Sequence, residues 1–598
     1  MNPSLLDTLK TRFGYNSFRP NQERVIQSIL SGTDCLTILP TGSGKSLCFQ
    51  LPALLMDGLT IVISPLIALM QDQVIALQKL DIPAVFITST LTAQDRAITL
   101  SQLDRYKLLY ISPERLSQPD FLALIQSISI SCIVIDEAHC ISQWGHSFRP
   151  DYRHLTHLKT WLPNTPIAAF TATATAPVQS DMITLLQLDQ PTIVRSTFDR
   201  PNLRVRIAEK LDSTNQLLSF LADHTDQSGI IYCSTRKNVE KTVALLTKKG
   251  IQAGAYHAGL SDTDRHRTHQ AFLTDQLPIV VATVAFGMGI HKPDIRWVFH
   301  MNMPQSVEHY YQEIGRAGRD GLPSDVMMLY GIQDVMIQKR FADDISDATA
   351  QHASRHKTEQ LFALCQSIAC RRVELLRYFG ETYAAEHCDS CDNCTDTIAM
   401  EDGTIVAQKI LSCVFRLRQQ FGINAVIDVL IGSQNQAIRS RRHDQLSTYG
   451  LLSTMSRTDI KFYIFNLVNA GYLYITNSDY PLLTLTARSS DILYHQQPIQ
   501  FRKRTCSAPT KTTQRPDAAA DKPLLARLKA HRKALATARH MAPFMIFHDK
   551  TLIEMATSKP RNDVEFLLLN GVGPSKLSQF GESFLAIINE TASEPVTA

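Results

Sequence analysis

The sequence predicts an α/β protein. Two tandem parallel-sheet lobes come first, then a small helical module around a cysteine cluster, a helix-and-hairpin domain and a small all-α domain. Three observations carry this reading. From Cys35 to about Tyr330, short apolar runs alternate with stretches of helical spacing, the pattern of buried parallel strands joined by crossover helices. A glycine-rich phosphate loop follows the first of these runs, and the second half of the alternation has none. Beyond Ile332 the alternation stops, and clustered cysteines and then helices take over.

At 598 residues the chain has room for several domains. Hydrophobic content of 44% and charged content of 19% suit a globular soluble protein. A net charge of +4 is weakly basic and leaves room for a local nucleic-acid surface. No run of roughly eighteen apolar residues occurs, so no membrane helix or membrane partner is expected. Met1–Asp7 lacks a basic segment followed by an apolar one, which argues against a secretory signal. Of the 12 cysteines, eight are scattered, many in apolar runs, as expected of reduced thiols in the cytoplasm.

The first lobe is assigned to residues 1–199. Phe13–Gln22 precedes a helix expected over Glu23–Leu30. Gln22 offers a donor and an acceptor that match an adenine edge, Tyr15 can stack on a purine, and Arg19 can reach phosphate. A packing segment ahead of the helix is an equally good reading. Cys35–Leu39 reads as a strand, followed by Pro40-Thr41-Gly42-Ser43-Gly44-Lys45-Ser46 and an apolar helix. That is a phosphate loop in its required context, with backbone N–H groups and the helix dipole turned to the anion. Lys45 would reach the β and γ phosphates of ATP, and Ser46 would ligate Mg²⁺. The general pattern has Gly where Leu39 stands, a departure typical of helicase phosphate loops.

Ser131–Ile135 is an apolar run of a buried parallel strand, and Asp136 and Glu137 stand at its carboxyl end, where doubly wound sheets bind ligands. One acid can hold Mg²⁺ and the other can orient or deprotonate water. A loop with Trp144, His146, Phe148 and Arg149 follows, residue types that stack on unpaired bases and contact phosphate. Ser64 and Ser112, each after a strand, are placed to hold phosphate oxygen or to cap a helix. Thr171-Ala172-Thr173 ends another apolar stretch and can link the ATP site to the nucleic-acid track.

The second lobe, residues 200–331, has strands at Gly229–Tyr232 and Ile279–Ala282. Lacking its own phosphate loop, it should close over the nucleotide of the first. Gln312–Gly321 supplies what such a lobe would bring: Arg316 and Arg319, one helical turn apart, can both face one site. An arginine finger of this kind can be worth about 10³–10⁵ in rate.

Gln22, the phosphate loop, Asp136–His139, Thr171–Thr173 and Gln312–Gly321 resemble the ordered motifs of a superfamily 2 helicase. The run Asp136–Pro150, with Ala282–Ile290 and Gly315–Gly321, resembles the RecQ family in particular. The resemblance spans about Leu5 to about Gly581 and implies two RecA-like lobes. It also implies an ATP-dependent DNA helicase that moves 3′ to 5′ on single strands and unwinds forked DNA in repair, recombination and replication-fork processing. It carries catalytic roles onto Lys45, Asp136, Glu137, His139, Gln312, Arg316 and Arg319, and ATP contacts onto Thr41–Ser46. It implies a single-stranded DNA-binding protein and a type IA topoisomerase as partners.

Residues 332–398 carry Cys388, Cys391 and Cys394, with Cys370 upstream. Four cysteines with two-residue gaps in a reduced compartment suit tetrahedral, structural Zn²⁺. Cys365 is a rival first ligand, and the RecQ pattern of Cys followed by Arg-Arg, here Cys370-Arg371-Arg372, favours Cys370. In residues 399–507, Ile460, Ile464, Leu467 and Val468 share one helical face ahead of a hairpin, which resembles the winged helix of RecQ proteins. Arg439, Arg441 and Arg442 form a basic patch suited to duplex phosphates. Tyr480, in the turn of the hairpin, is either a wedge at the fork or a packed hairpin residue. Residues 508–521 read as a flexible linker. Residues 522–598 resemble the HRDC domain, with Leu524, Leu525, Leu528 and Leu535 at helical spacing. Arg527, Lys529, Arg532, Lys533 and Arg539 lie among them as a single-strand-binding or merely solvated face.

Two other readings remain at this point: an ATP-driven remodeller that does not unwind, and a DNA-binding scaffold with an inactive phosphate loop. The intact Lys45, acid pair and arginines argue against the second.

Overall fold

The computed structural model describes residues 5–593 except 41, 89–90, 117, 146–147, 285, 287–291, 346, 397–399, 477–481, 496, 503–520 and 540. Thr41, His146, Tyr480 and the linker up to Ala520 therefore lie outside the described residues. The chain forms two compact units, Met1–Cys394 with Thr512–Ala598, and Thr395–Lys511.

The first unit contains two all-parallel sheets. The first holds β1 (Cys35–Ile38), β2 (Leu59–Ile63), β3 (Ala84–Ile87), β4 (Leu108–Ile111), β5 (Ile130–Ile135), β6 (Ile167–Thr171) and β7 (Thr192–Arg195), in the order β3-β4-β2-β5-β6-β1-β7. Most of these strands are buried along their whole length, which is why they read as continuous apolar runs rather than as alternating ones. The second sheet holds β8 (Leu203–Glu209), β9 (Gly229–Tyr232), β10 (Ala253–Tyr256), β11 (Ile279–Ala282), β12 (Trp297–His300) and β13 (Ser324–Tyr330), in the order β10-β11-β9-β12-β13-β8.

The helices Ala348–Gln366 and Arg371–Tyr378 pack on this double core. Leu361, Leu364, Cys365, Leu376 and Phe379 belong to the same buried cluster as Ile135 and Val298. Phe379 stacks on Phe198, in the segment between the sheets, at 4.5 Å between ring centroids. The module is thus continuous with the lobes and not an appendage to them.

The C-terminal part of this unit is helical. Lys522–Ala538, Asp549–Ser558 and Glu582–Ser593 are its longer helices. Its own core includes Leu524, Leu528, Phe547, Phe566 and Phe584. Arg532 departs from the sequence expectation of a basic face. It is buried, donates to the Phe547 carbonyl at 2.7 Å and pairs with Asp549 at 2.8 Å.

The second unit packs Thr404–Arg416, Ile423–Ile431 and Arg457–Asn469 around a core that includes Ile410, Ile427, Ile460, Ile464 and Leu467. Two short antiparallel pairs complete it: β14 (Met400–Asp402) with β17 (Gln500–Arg502), and β15 (Leu473–Ile475) with β16 (Leu483–Leu485). The helix-then-hairpin order expected from the sequence is present.

Candidate active site

β5, β6 and β1 are neighbours in the first sheet. Because all three run parallel, their following loops meet at one edge, where such sheets bind ligands. The phosphate loop follows β1, the acid pair follows β5, and Thr171–Thr173 closes β6.

Gln22 opens the helix Gln22–Leu30, one residue earlier than its spacing suggested. Its side-chain oxygen accepts from the Arg19 N–H at 2.8 Å, and its Nε2 donates to the Ser43 and Gly44 carbonyls at 3.2 and 3.1 Å. Gly44 has φ +83°, a left-handed backbone that favours glycine, and a Cβ there would stand 2.5 Å from that amide nitrogen and displace it. The Arg19 guanidinium bonds the Gly42 carbonyl. Tyr15 is 57% exposed, open to stack on a ring. Ser46 precedes the helix Leu47–Leu55, whose dipole points at the loop. These groups fit a nucleoside triphosphate, and Ser46 and Asp136 could hold its Mg²⁺.

The backbone holds Asp136 from both sides. Its N–H donates to the Ile63 carbonyl at 2.9 Å, and its carbonyl accepts from the Tyr152 hydroxyl at 3.0 Å. Glu137 adopts φ +49°, a left-handed conformation costing about 1–2 kcal/mol for a residue with a Cβ. Strain of this kind collects at functional sites. Glu137 lies 3.9 Å from Lys45 Nζ and 3.3 Å from His139 Nδ1. Burial, helped by the Glu137 charge, raises the Asp136 carboxyl above the usual carboxylate range. Burial works against Glu137 too, yet Lys45, His139 and Arg316 hold it below that range. Against the cost of its burial, Cys140 and Glu137 push His139 up to about 10.

From His139 a chain of hydrogen bonds leaves the acid pair. His139 Nδ1 is 2.8 Å from Thr171 Oγ1, and the Thr171 hydroxyl donates to the Thr173 carbonyl at 3.1 Å. Gln312 Nε2, on the other lobe, donates to Thr173 Oγ1 at 3.4 Å. The second lobe also delivers its arginines, though not as the spacing suggested. The helix Val307–Ile314 ends before them, and Arg316 and Arg319 stand in the turn that follows. Arg200 anchors that turn through the Ala317 and Gly318 carbonyls at 2.8 and 3.1 Å, and Asn202 adds a bond to Gly318 at 2.9 Å. The Arg316 charge acts on Glu137. Arg319 reaches the phosphate loop, with its Cγ 3.2 Å from where a Cβ on Gly42 would stand. Arg200, Asn202 and Tyr152 were not singled out from the sequence. Each lies far along the chain from what it holds and belongs to no local pattern.

The aromatic loop leaves the acid pair through the turn Ala138–Ile141. Gly145 folds back on that turn so closely that a Cβ would stand 2.3 Å from the His139 carbonyl oxygen. Trp144 is 46% exposed. Arg153 lies over the Phe148 ring at 5.1 Å. Arg149 donates to the Pro65 carbonyl at 2.9 Å, tying the loop to the turn after β2. Ser64 is buried beside it and does not cap the following helix, so the capping alternative fails there. The aromatic side chain points outward while the loop's basic residue is spent on the protein.

The sulfurs of Cys370, Cys388, Cys391 and Cys394 all lie within 4.8 Å of one another, against about 3.8 Å expected for a tetrahedron of Zn–S bonds near 2.3 Å. Cys365 is not among them; it is buried in the apolar core. The Arg371 and Cys388 N–H groups each donate to a cysteine sulfur at 3.4 Å, a surrounding suited to thiolates on a metal. Arg371 grips Asp392 at 3.1 and 3.2 Å, and Asp392 accepts from the Ile207 N–H at 3.2 Å, joining the knuckle to β8.

Five family models match the chain in order: DEAD/DEAH box helicase over 19–181, helicase conserved C-terminal domain over 209–321, RecQ zinc-binding over 332–395, RQC domain over 397–510 and HRDC domain over 521–588. The ATP-dependent DNA helicase RecQ of Haemophilus influenzae is 42% identical over 595 residues, covering 98% of this chain and 96% of that one. The chain belongs to the RecQ family. The Bacillus subtilis ATP-dependent DNA helicase RecQ is 38% identical over 586 residues, covering 97% of each chain. The RecQ-like DNA helicase blm-1 of Caenorhabditis elegans is 37% identical over 504 residues, 79% of this chain and 51% of that one.

As a RecQ protein the chain is an ATP-dependent helicase acting on DNA, with Zn²⁺ as a structural metal. In its RQC unit Arg439, Arg441 and Arg442 are exposed. Arg439 bonds Gln434 at 3.2 Å and Arg441 lies over Phe421 at 5.2 Å. In its HRDC domain Arg527 pairs with Glu590 at 2.8 Å and Arg539 lies over Phe580 at 4.6 Å.

Proposed function

We propose that this RecQ helicase moves 3′ to 5′ on single-stranded DNA and opens forked duplexes ahead of it. The observation that carries the reading is the polar chain that starts at Glu137, 3.3 Å from His139 Nδ1, and runs through the hydrogen bonds of His139, Thr171 and Thr173 to Gln312. It joins the carboxylates to the lobe that brings the arginines, while the aromatic loop leaves the same strand end.

In this mechanism the Gly42–Ser46 backbone and Lys45 bind the phosphates of ATP, and Tyr15, Arg19 and Gln22 hold its base and position the phosphate loop. Ser46 and Asp136 would hold Mg²⁺, whose charge polarises the γ-phosphoryl group. Glu137 orients the attacking water and accepts its proton, and Arg316 and Arg319 offset the charge that develops on transfer. Trp144, His146 and Phe148 stack on bases, with Arg149 supporting the loop. Arg439, Arg441 and Arg442 grip the duplex phosphates, and Tyr480 acts as the wedge at the fork. Repair, recombination and replication-fork processing are the settings this activity suits. A single-stranded DNA-binding protein and a type IA topoisomerase are its family-type protein partners. The cytoplasm is its place of work: the described cysteines outside the zinc cluster are free thiols, and no described helix is long and apolar enough to cross a membrane.

Strand displacement on duplexes with a 3′ or a 5′ single-stranded tail, with and without ATP, tests this. Unwinding of the 3′-tailed duplex alone, and only with ATP, is expected. Equal use of both tails would overturn the polarity, and ATP turnover without displacement would leave a remodeller in its place.

A further inference from the structure

The aromatic loop has a second tie that the mechanism above does not use. Lys357, in the middle of the helix Ala348–Gln366, extends its ammonium group to the Trp144 carbonyl at 2.5 Å and to Glu308 Oε1 at 2.8 Å. One lysine therefore joins three elements: the loop of the first lobe, a helix that follows the second lobe, and the start of the helix Val307–Ile314. The far end of that last helix carries Gln312 and leads into the Arg316–Arg319 turn. The pair is nearly dry, with the side chains of Lys357 and Glu308 13% and 2% exposed. Burial opposes the Glu308 charge, yet Lys357 holds the carboxyl below its usual range.

The surroundings leave the loop room to move. A cavity of about 240 Å³ opens between Gln143, Gly145 and Phe148 on the loop and Ser306, His309 and Ser354 across from it. Gln143 also reaches Asp347 at 3.4 Å and Arg153 approaches Asp347 at 4.0 Å, but both ties run to the exposed start of the helix and not to the helix that leads to the arginines. The Lys357 tie is made to a backbone carbonyl, so it follows the loop's main chain whatever the Trp144 ring does. The bond to the Trp144 carbonyl is exposed, but it is charged, and a charged hydrogen bond resists breaking more than a neutral one does, so a shift of the Trp144 backbone is passed to Lys357 and through it to the nearly dry Glu308 pair.

We propose that Lys357 is a positioning residue that couples the aromatic loop to the arginine turn through Glu308. Base stacking on the loop moves the Trp144 carbonyl. Lys357 carries that movement to the helix Val307–Ile314, and Gln312, Arg316 and Arg319 respond at the phosphate site. This rests on the helicase reading above, in which ATP turnover is coupled to DNA on the aromatic loop.

The test compares the full-length protein with Lys357→Met, Lys357→Arg and the double variant Lys357→Met with Glu308→Gln, which removes the buried unpaired carboxylate along with its partner. ATP turnover is measured without DNA and across a titration of single-stranded oligonucleotide, with oligonucleotide affinity and Tm on the same preparations. Lys357→Met is expected to keep its DNA-free rate within about two-fold and its affinity within about three-fold, and to lose about ten-fold of the DNA stimulation as a fall in kcat. Lys357→Arg should restore at least half of the stimulation. Should Lys357→Met prove poorly folded, the double variant at wild-type Tm is expected to show the same loss. Full stimulation in either folded variant overturns the coupling while leaving the helicase reading intact. A wild-type ATPase that DNA does not stimulate overturns both.

Discussion

Lys45 Nζ lies 3.9 Å from Glu137 Oε1. The residue that grips phosphate and the residue that handles water are thus already paired across the site, and the lysine helps to hold the carboxylate below its usual range. A γ-phosphate entering between them would take over the lysine and leave the carboxylate facing the water. Glu137→Gln, which keeps the shape and removes the base, should lower DNA-stimulated ATP turnover by about 10²–10⁴-fold with ATP still bound. Lys45→Ala should abolish unwinding with DNA binding largely retained, since Lys45 faces the nucleotide and not the track. Steady-state ATPase with nucleotide and oligonucleotide binding on both variants checks this, and normal DNA-stimulated turnover in Lys45→Ala would refute the phosphate-loop assignment.

Zinc should act on folding and not on one chemical step. Arg371 and Asp392 tie the cysteine knuckle to β8, so loss of the metal loosens the second lobe's edge as well as the knuckle. Structural zinc sites in small peptides carry apparent binding energies of roughly 10–16 kcal/mol. Cys391→Ser should lower Tm and soluble yield together. Metal analysis of the purified wild type should find one zinc per chain, and a zinc-free, fully active preparation would exclude this role.

Trp144 is half exposed on a loop whose basic residue already bonds Pro65. One stacked base is worth about 1–3 kcal/mol, while phosphate contacts dominate overall affinity. Trp144→Ala should therefore bind single strands within a few-fold of wild type and lose most DNA stimulation of its ATPase. If the ring instead served packing, Tm and DNA-free turnover would fall together, and the two patterns separate on one preparation.

The HRDC domain has its own core, so ending the chain before Lys522 should leave a protein that unwinds a simple tailed duplex. Weaker binding to structured DNA is the expected loss. Within the domain, Arg532 and Asp549 form a buried pair, and removing one partner of such a pair costs about 3–5 kcal/mol. Arg532→Ala should lower the domain's thermal transition, whereas Lys533→Ala on the exposed side should leave it unchanged. Failure of the truncated chain on the tailed duplex would make the domain part of the motor.

Sequence alone determined whatever is written contiguously. The phosphate loop, the acid pair after an apolar strand and the two-residue cysteine gaps are local patterns whose chemistry needs only neighbours, and buried parallel strands announce themselves as apolar runs. Tertiary structure decided whatever depends on partners far along the chain. It placed Arg316 and Arg319 in a turn held by Arg200 instead of on a helix, and put Cys370 with the other thiols and Cys365 in the apolar core. It turned Arg149 and Arg532 inward to carbonyls and set Lys357 against Trp144. The physical reason is common to the arginines and the lysine. A long polar side chain reaches whichever acceptor the fold brings near, and its position in the sequence carries no periodic trace of that acceptor.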